Sequence, residues 1–374
     1  MRKNFGELSW KQERAMRLCA IVLFSFGLFA GSPDSRASDT EFTVQSFNAY
    51  GPAYAPNLAR RTELLLQHWN DTDCCDVLLL QEVWKANHHT SLARELEARG
   101  IPGVRFDTSR ADGKTTGIAT FVRGTIDSEA SVLYPVNNQS GLDDIREMLG
   151  IQKGIGRVRA SLTGGESLVL LDTHTHPQVE PVRVAQMLFL IERELGALPA
   201  SDPVFLAGDF NATPDSLEFA LLRDVLRMRD LWTYVNGGYA AGACTYCLDN
   251  PLHLGGGVDR VIDYVWFRDG NSRAILPLTA EITPKKVETA ALSDHYGLRG
   301  KFRAADRGPS ALLALDDPEL LARLERAKTT LERARERLAR EGQAQYNNSL
   351  IYIERLRAEL SDPASAVVDY YRVP

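Results

Sequence analysis

The sequence predicts an α+β chain built as a four-layer α/β sandwich, two packed and mostly antiparallel β-sheets flanked by helices, with a C-terminal helical hairpin beyond it. Three observations carry that prediction. Short apolar runs at 77–80 and 204–207 are bounded by polar and turn residues and read as strands buried on both faces. Stretches of helical period at 57–70 and 181–195 are interleaved with them. The 374 residues are long enough for one large two-sheet unit plus an appendage.

In chain order, 43–47 reads as a strand, 57–70 as an amphipathic helix, 76–80 as a strand and 90–99 as a helix. The character then changes. Runs at 116–122, 131–134, 156–162 and 167–172 are strand-like and separated by glycine-bearing turns, as in antiparallel meanders. Helical period returns at 181–195, 204–207 is a strand, 216–225 is helical, and 261–267 and 297–302 close the unit as strands. The run Arg307-Gly308-Pro309-Ser310 reads as a linker, and 318–341 as a long helix dense in Leu, Ala, Glu and Arg. Its Leu320, Leu324, Ala327, Leu331, Ala334 and Leu338 step by four and three, the spacing of a helix-packing seam. After a break at 342–349, a second helix at 350–360 can fold back on the first. The expected uses of 312–360 are packing on the main unit, self-association or partner binding; mixed charges do not suit a helix lying on a membrane.

The N-terminus carries Arg2, Lys3, Lys11, Arg14 and Arg17 ahead of the uncharged apolar run 18–30, which is too short to span a bilayer comfortably. Small residues surround Ala37. The expectation is a signal peptide over 1–37, cleaved near Ala37, and a secreted or periplasmic protein. Losing six basic and three acidic residues with it takes the formal charge from −6 to −9, which argues against a general nucleic-acid binder. Cys74, Cys75, Cys244 and Cys247 remain, and an even number in an exported chain suggests disulfides. Cys244 and Cys247 read as a local bridge; the pairing of the four stays open.

Four short stretches join an acid or amide to an apolar run: Phe47-Asn48, Gln81-Glu82-Val83, Gly208-Asp209-Phe210-Asn211 and Ser293-Asp294-His295. Ligands gather where buried strands stop. Hard divalent cations take oxygen from carboxylates and amides and keep several waters, so a few such groups suffice to hold one. Glu82 is the expected metal ligand, with Asn48 and Asp294 beside it. Asp209 and Asn211, two apart, share a side of an extended strand. A histidine oriented by a carboxylate is a general base, the role expected of His295.

These motifs, in this order from Thr43 to Phe302, resemble the endonuclease/exonuclease/phosphatase superfamily. The resemblance implies a site of Asn48, Glu82, Asp209, Asn211, Asp294 and His295, joined by Asp263 of Ile262-Asp263-Tyr264 and His174 of Thr173-His174. It places His174 beside the phosphoryl group or the leaving alkoxide. Within that family, Gln152-Lys153-Gly154, Thr173 to Pro177 with Arg183 and Gln186, Asn48-Ala49-Tyr50-Gly51, and Thr245-Tyr246 with Asn250-Pro251 are similar to bacterial neutral sphingomyelinases and related phospholipases C. Lys153 and Tyr50 are then the expected substrate contacts, and Mg²⁺ the expected cofactor, with Mn²⁺ or Co²⁺ as substitutes. The implied substrate is a phospholipid at a membrane surface, and nucleic acid is the alternative. His88, His89, His176 and His253 read as structural. The implied division is a leader at 1–37, a catalytic domain at 38–304, and a linker with helical hairpin at 305–374.

Overall fold

Strands apolar on both faces must be covered on both sides, and the architecture follows from that requirement. The computed structural model describes residues 39–107, 115–137, 152–197, 202–253, 257–287, 290–308 and 312–373. The expected leader and part of the expected linker lie outside the described residues.

The first half comprises β1 (Thr40–Asn48), α1 (Leu58–Asp71), β2 (Val77–Gln81), α2 (Ala86–Glu97), β3 (Gly103–Asp107) and β4 (Thr115–Val122). The second comprises β5 (Gly124–Leu133), β6 (Gly154–Leu162), β7 (Ser167–His174), α3 (Glu180–Gly196), β8 (Val204–Asp209) and α4 (Leu217–Ala220), which continues as a π turn over Leu221–Val225. Next come β9 (Arg229–Asp230), α5 (Leu231–Asn236), β10 (Asp263–Arg268), β11 (Arg273–Ile282), β12 (Lys286–Val287), β13 (Ala290–Ala291) and β14 (Leu298–Asp306). The chain closes with α6 (Pro318–Glu341), α7 (Asn347–Glu359) and α8 (Ala366–Arg372).

Two six-stranded sheets result, in the orders β11-β14-β1-β2-β4-β3 and β5-β6-β7-β8-β10-β9. Each is antiparallel except at one central pair, β1 with β2 and β7 with β8. The period of two explains the packing. Val77 and Leu79 enter the core between the sheets, where they meet Val158, Leu170 and Phe205, while Leu78 and Leu80 point outward into a second core with Leu64, Trp69 and Leu92 of the covering helices. On β8, Phe205 and Ala207 face inward, and Val204 and Leu206 face α3.

The helical seam is buried against the sandwich. Leu320, Ala327, Leu331, Ala334 and Leu338 share one core with Leu188 and Ile191 of α3 and with Leu221 and Leu222 of the π turn. Helix α6 starts where Asp317 accepts the Glu319 N–H at 2.8 Å with Pro318 in the first turn, and stops at Gly342, whose φ is 62°. Beside the hairpin, α8 is fastened by the Tyr371 hydroxyl, which donates to Val225 O at 2.7 Å. No helix among the described residues is long and apolar enough to cross a membrane.

Candidate active site

Because β1 runs parallel to β2, and β7 to β8, each pair delivers its terminal polar residues at one edge. In register, Asn48 faces Gln81, His174 faces Asp209, and Asp209 faces Asp263 of β10. Glu82, Lys153, His174, Asp209, Asn211, Asp294 and His295 all line one cleft of about 340 Å³. The turns that carry them are sharp: Tyr50, Glu82 and Asn211 have φ of 45°, 61° and 49°, a conformation that only a well-braced surrounding holds. Gly208 is required by close approach, since a Cβ there would sit 1.9 Å from Thr173 O at a φ of 150°.

Asp209 is the hub. Its Oδ2 accepts from Asn48 Nδ2 at 3.1 Å and lies 3.4 Å from His174 Nε2 and 3.8 Å from His295 Nε2; its Oδ1 accepts the Asn211 N–H at 2.9 Å. His295 Nδ1 is 2.8 Å from Asp263 Oδ2, which leaves Nε2 facing Asp209. Lys153 is 9% exposed, and its Nζ lies 2.7 Å from His174 Nε2.

Charge follows from this packing. Burial alone would lower His295, but the charges of Asp263, Asp209 and Asp294 outweigh it and hold the imidazole well above its usual range. Burial would raise Asp209, yet His295, His174 and Lys153 bring it below the ordinary carboxylate value. His174 is lowered, first by burial and then by Lys153. Asp294 is pushed up to about 7, by burial and, against the pull of His295, by the charge of Glu82.

Two groups of donors could take a cation. Asp209, Asp263 and His295 each offer one atom within 4.8 Å of the others. That trio already balances itself as an imidazolium between carboxylates. Glu82 does not: its Oε2 is buried without a hydrogen-bond partner, and its charge raises Asp294. Two carboxylates in that state gain from a divalent ion, and the oxygen donor set suits a hard one. Asn48 Oδ1 accepts the Tyr50 N–H at 2.9 Å and keeps a second lone pair.

Tyr50 is the expected substrate contact that the cleft lining does not include. Its ring is buried against Arg61, 5.1 Å from the guanidinium carbon, and it does not line the cleft. A left-handed turn at Tyr50 swings the side chain under the loop, and Tyr54, 73% exposed, stands at the cleft instead. Tyr246 of the Thr245-Tyr246 motif lines it too, as do Trp84 and Arg260, which were not anticipated. Nor was Arg61, which donates to Ala49 O at 3.1 Å, Tyr50 O at 2.6 Å and Leu292 O at 2.9 Å, tying the loop after β1 to the loop before Asp294. A signal existed: Arg61 stands four and eight residues before the buried Leu65 and Trp69, on the apolar stripe of α1. His176 is structural, with Nδ1 accepting from Gln178 N at 3.2 Å and Val179 N at 3.0 Å ahead of α3. The Cys244–Cys247 disulfide spans Cα atoms 5.4 Å apart, and the sulfurs of Cys74 and Cys75 are joined to each other.

A two-sheet sandwich with a carboxylate, amide and histidine cleft at its strand ends is the setting of a hydrolase. Residues 46–295 match the Endonuclease/Exonuclease/phosphatase family, and the chain belongs to it. It is 24% identical over 259 residues to a putative neutral sphingomyelinase of Caenorhabditis elegans, covering 62% of this chain and 58% of that one. It is 27% identical over 204 residues to an inositol phosphosphingolipids phospholipase C of Schizosaccharomyces pombe, covering 52% and 47%. The chain thus spans about half the length of these relatives. In fold it is similar to D. rerio TDP2 complexed with a single-strand DNA product, with a TM-score of 0.56, 18% identity, and 70% and 99% of the two chains covered.

Proposed function

We propose that this protein is an exported, Mg²⁺-dependent phosphodiesterase of the phospholipase C type that hydrolyses sphingomyelin or a related phospholipid to a phospho-headgroup and a lipid alcohol. The observation that carries the reading is the placement of Lys153. The turn before β6 brings one buried cation against His174 inside the acidic cleft, where a single phosphodiester needs it. That turn is the Lys-Gly feature similar to neutral sphingomyelinases, and two relatives carry sphingolipid-cleaving names. Export rests on the leader pattern at 1–37.

Glu82, Asp294 and Asn48 would hold the divalent ion, Mn²⁺ or Co²⁺ serving in place of Mg²⁺; when bound it neutralises charge on the phosphoryl group. His295 Nε2, oriented through Nδ1 by Asp263, takes the proton of the attacking water. Asp209 and Asn211 orient that water and a phosphoryl oxygen. His174 and Lys153 donate to the charge that builds on the equatorial oxygens, and this pair returns a proton to the departing alkoxide.

The second reading is an exported nuclease, favoured by the fold it shares with a DNA-bound neighbour. A nuclease tracks several phosphates with basic contacts, whereas Lys153 and Arg260 are the Lys and Arg side chains among the described cleft residues. Sphingomyelin, an inositol phosphosphingolipid, phosphatidylcholine and plasmid DNA, each with Mg²⁺ and with chelator, separate the readings. Metal-dependent release of the phospho-headgroup is expected; cleavage of DNA alone would overturn the proposal.

A further inference from the structure

The stretch Cys244 to Asn250 makes a set of contacts that the reaction as described does not use. Thr245 is 1% exposed. Its hydroxyl accepts the N–H groups of Ile262 and Asp263 at 3.1 and 3.2 Å. Its carbonyl accepts the Tyr296 N–H at 2.7 Å, and its own N–H donates to Arg260 O at 2.9 Å. One residue therefore grips the chain at Asp263 and the chain next to His295. Further along, Asn250 Nδ2 donates to Ser293 O at 2.9 Å, and Asp249 accepts the Tyr296 hydroxyl at 3.0 Å. The Tyr246 ring lies 4.9 Å from the His295 ring, centroid to centroid.

We propose that Cys244 to Asn250 is the positioning element of the Asp263–His295 pair and that the Cys244–Cys247 disulfide holds it in place, so that turnover depends on that disulfide. Among the described residues the segment belongs to no named strand or helix; its backbone is tied to the rest by the isolated pairing of Tyr246 with Arg260 and by the Tyr296 N–H to Thr245 O bond. Closing a four-residue ring around Thr245 and Tyr246 restricts the segment to the conformation that presents the hydroxyl and the ring. Opening it takes two electrons and two protons: a phosphine attacks one sulfur, the other leaves as thiolate, and water supplies oxygen for the phosphine oxide and protons for both thiols. Thr245 touches neither substrate nor reacting atoms and acts through Asp263 and His295. The inference rests on the proposed role of His295.

The test measures kcat and KM on a soluble phosphodiester, bis-p-nitrophenyl phosphate, with Mg²⁺ in excess. Thr245→Val is expected to lower kcat on the order of tenfold or more while KM stays within about threefold, because misplacing a base costs rate rather than affinity. Thr245→Ser, which restores the hydroxyl, should recover most of the loss. Wild type treated with a phosphine until a maleimide-labelled aliquot shows both thiols of the pair free should fall similarly, and the unlabelled remainder should regain rate on reoxidation. Cys244→Ser with Cys247→Ser should be slow from the start and unresponsive to phosphine, which isolates the effect from Cys74 and Cys75. Wild type with the bridge shown open and kcat within twofold would overturn the proposal, as would equal loss in Thr245→Ser and Thr245→Val. His295→Ala run alongside separates the two failures: an active His295→Ala sinks the function proposed above, while an inactive one with neutral Thr245→Val sinks only this inference.

Discussion

Asp263→Asn separates orientation from charge at the proposed base. The wild-type contact is 2.8 Å from His295 Nδ1 to Asp263 Oδ2. Two unit charges at that distance attract by about 6 kcal/mol at an effective dielectric of 20. Asp209 remains 3.8 Å from Nε2, and an asparagine oxygen keeps a neutral hydrogen bond, so roughly 3 to 5 kcal/mol of the stabilisation of the developing imidazolium is lost, or about 10²- to 10⁴-fold in turnover. The sign with pH is equally specific. Asp263 helps hold His295 above its usual range, so the neutral base of the wild type appears only as pH rises; removing that charge moves the ascending limb of the rate profile to lower pH. Folding should weaken as well, because removing one partner of a buried pair leaves the His295 charge less compensated. Initial rates across pH on a soluble phosphodiester, with thermal melts beside them, read all three. A variant within threefold of wild type, while His295→Ala is inactive, would refute the reasoning.

Glu82→Gln should weaken divalent binding by at least about tenfold, read without turnover as a smaller rise of melting temperature on adding Mg²⁺; an unchanged rise would place the ion elsewhere. Asp172, fully buried with Oδ2 unpartnered, is raised well above the usual range by burial against the opposing hydrogen bond from Gln81. A raised acid contributes most below its unfolded value, near 3.9, and loses that contribution as pH climbs through the folded value. Asp172→Asn should therefore gain stability relative to wild type as pH rises above the unfolded value, and a gap constant with pH would count against it. Leu331→Ala, at a fully buried seam position, should cost about 2 to 5 kcal/mol in denaturant unfolding; a change of oligomeric state without that loss would mean the seam serves a partner.

The sandwich was legible because its strands have opposite apolar faces and its helices a clear period: 318–341 coincides with α6, and of the seam leucines Leu320, Leu331 and Leu338 are buried and Leu324 partly so. What escaped was marginal in hydrophobic pattern. Strand β11 sits at a sheet edge, exposes Leu276 and Leu278, and carries Pro277 at a bulge, so no alternation announces it. Helices α5 and α8 are short, with six and seven residues. At the site, residue types at strand ends pointed to Glu82, Asp209 and His295 without any geometry. The left-handed turn at Tyr50 and the burial of its ring were not legible in the residues around it. Arg61 escaped because its work is done through backbone carbonyls, and Thr245, though part of a named motif, came without its role, since its hydroxyl acts on the N–H groups of Ile262 and Asp263.

Hydrolysis of sphingomyelin in ¹⁸O-labelled water, followed by ³¹P NMR of the released headgroup, tests most directly whether these remote segments form one centre for water attack on phosphorus. One ¹⁸O per phosphate in the product, appearing only with a divalent ion and not in His295→Ala, is the predicted result. Label in the lipid alcohol, or headgroup release that survives both chelation and His295→Ala, would contradict it.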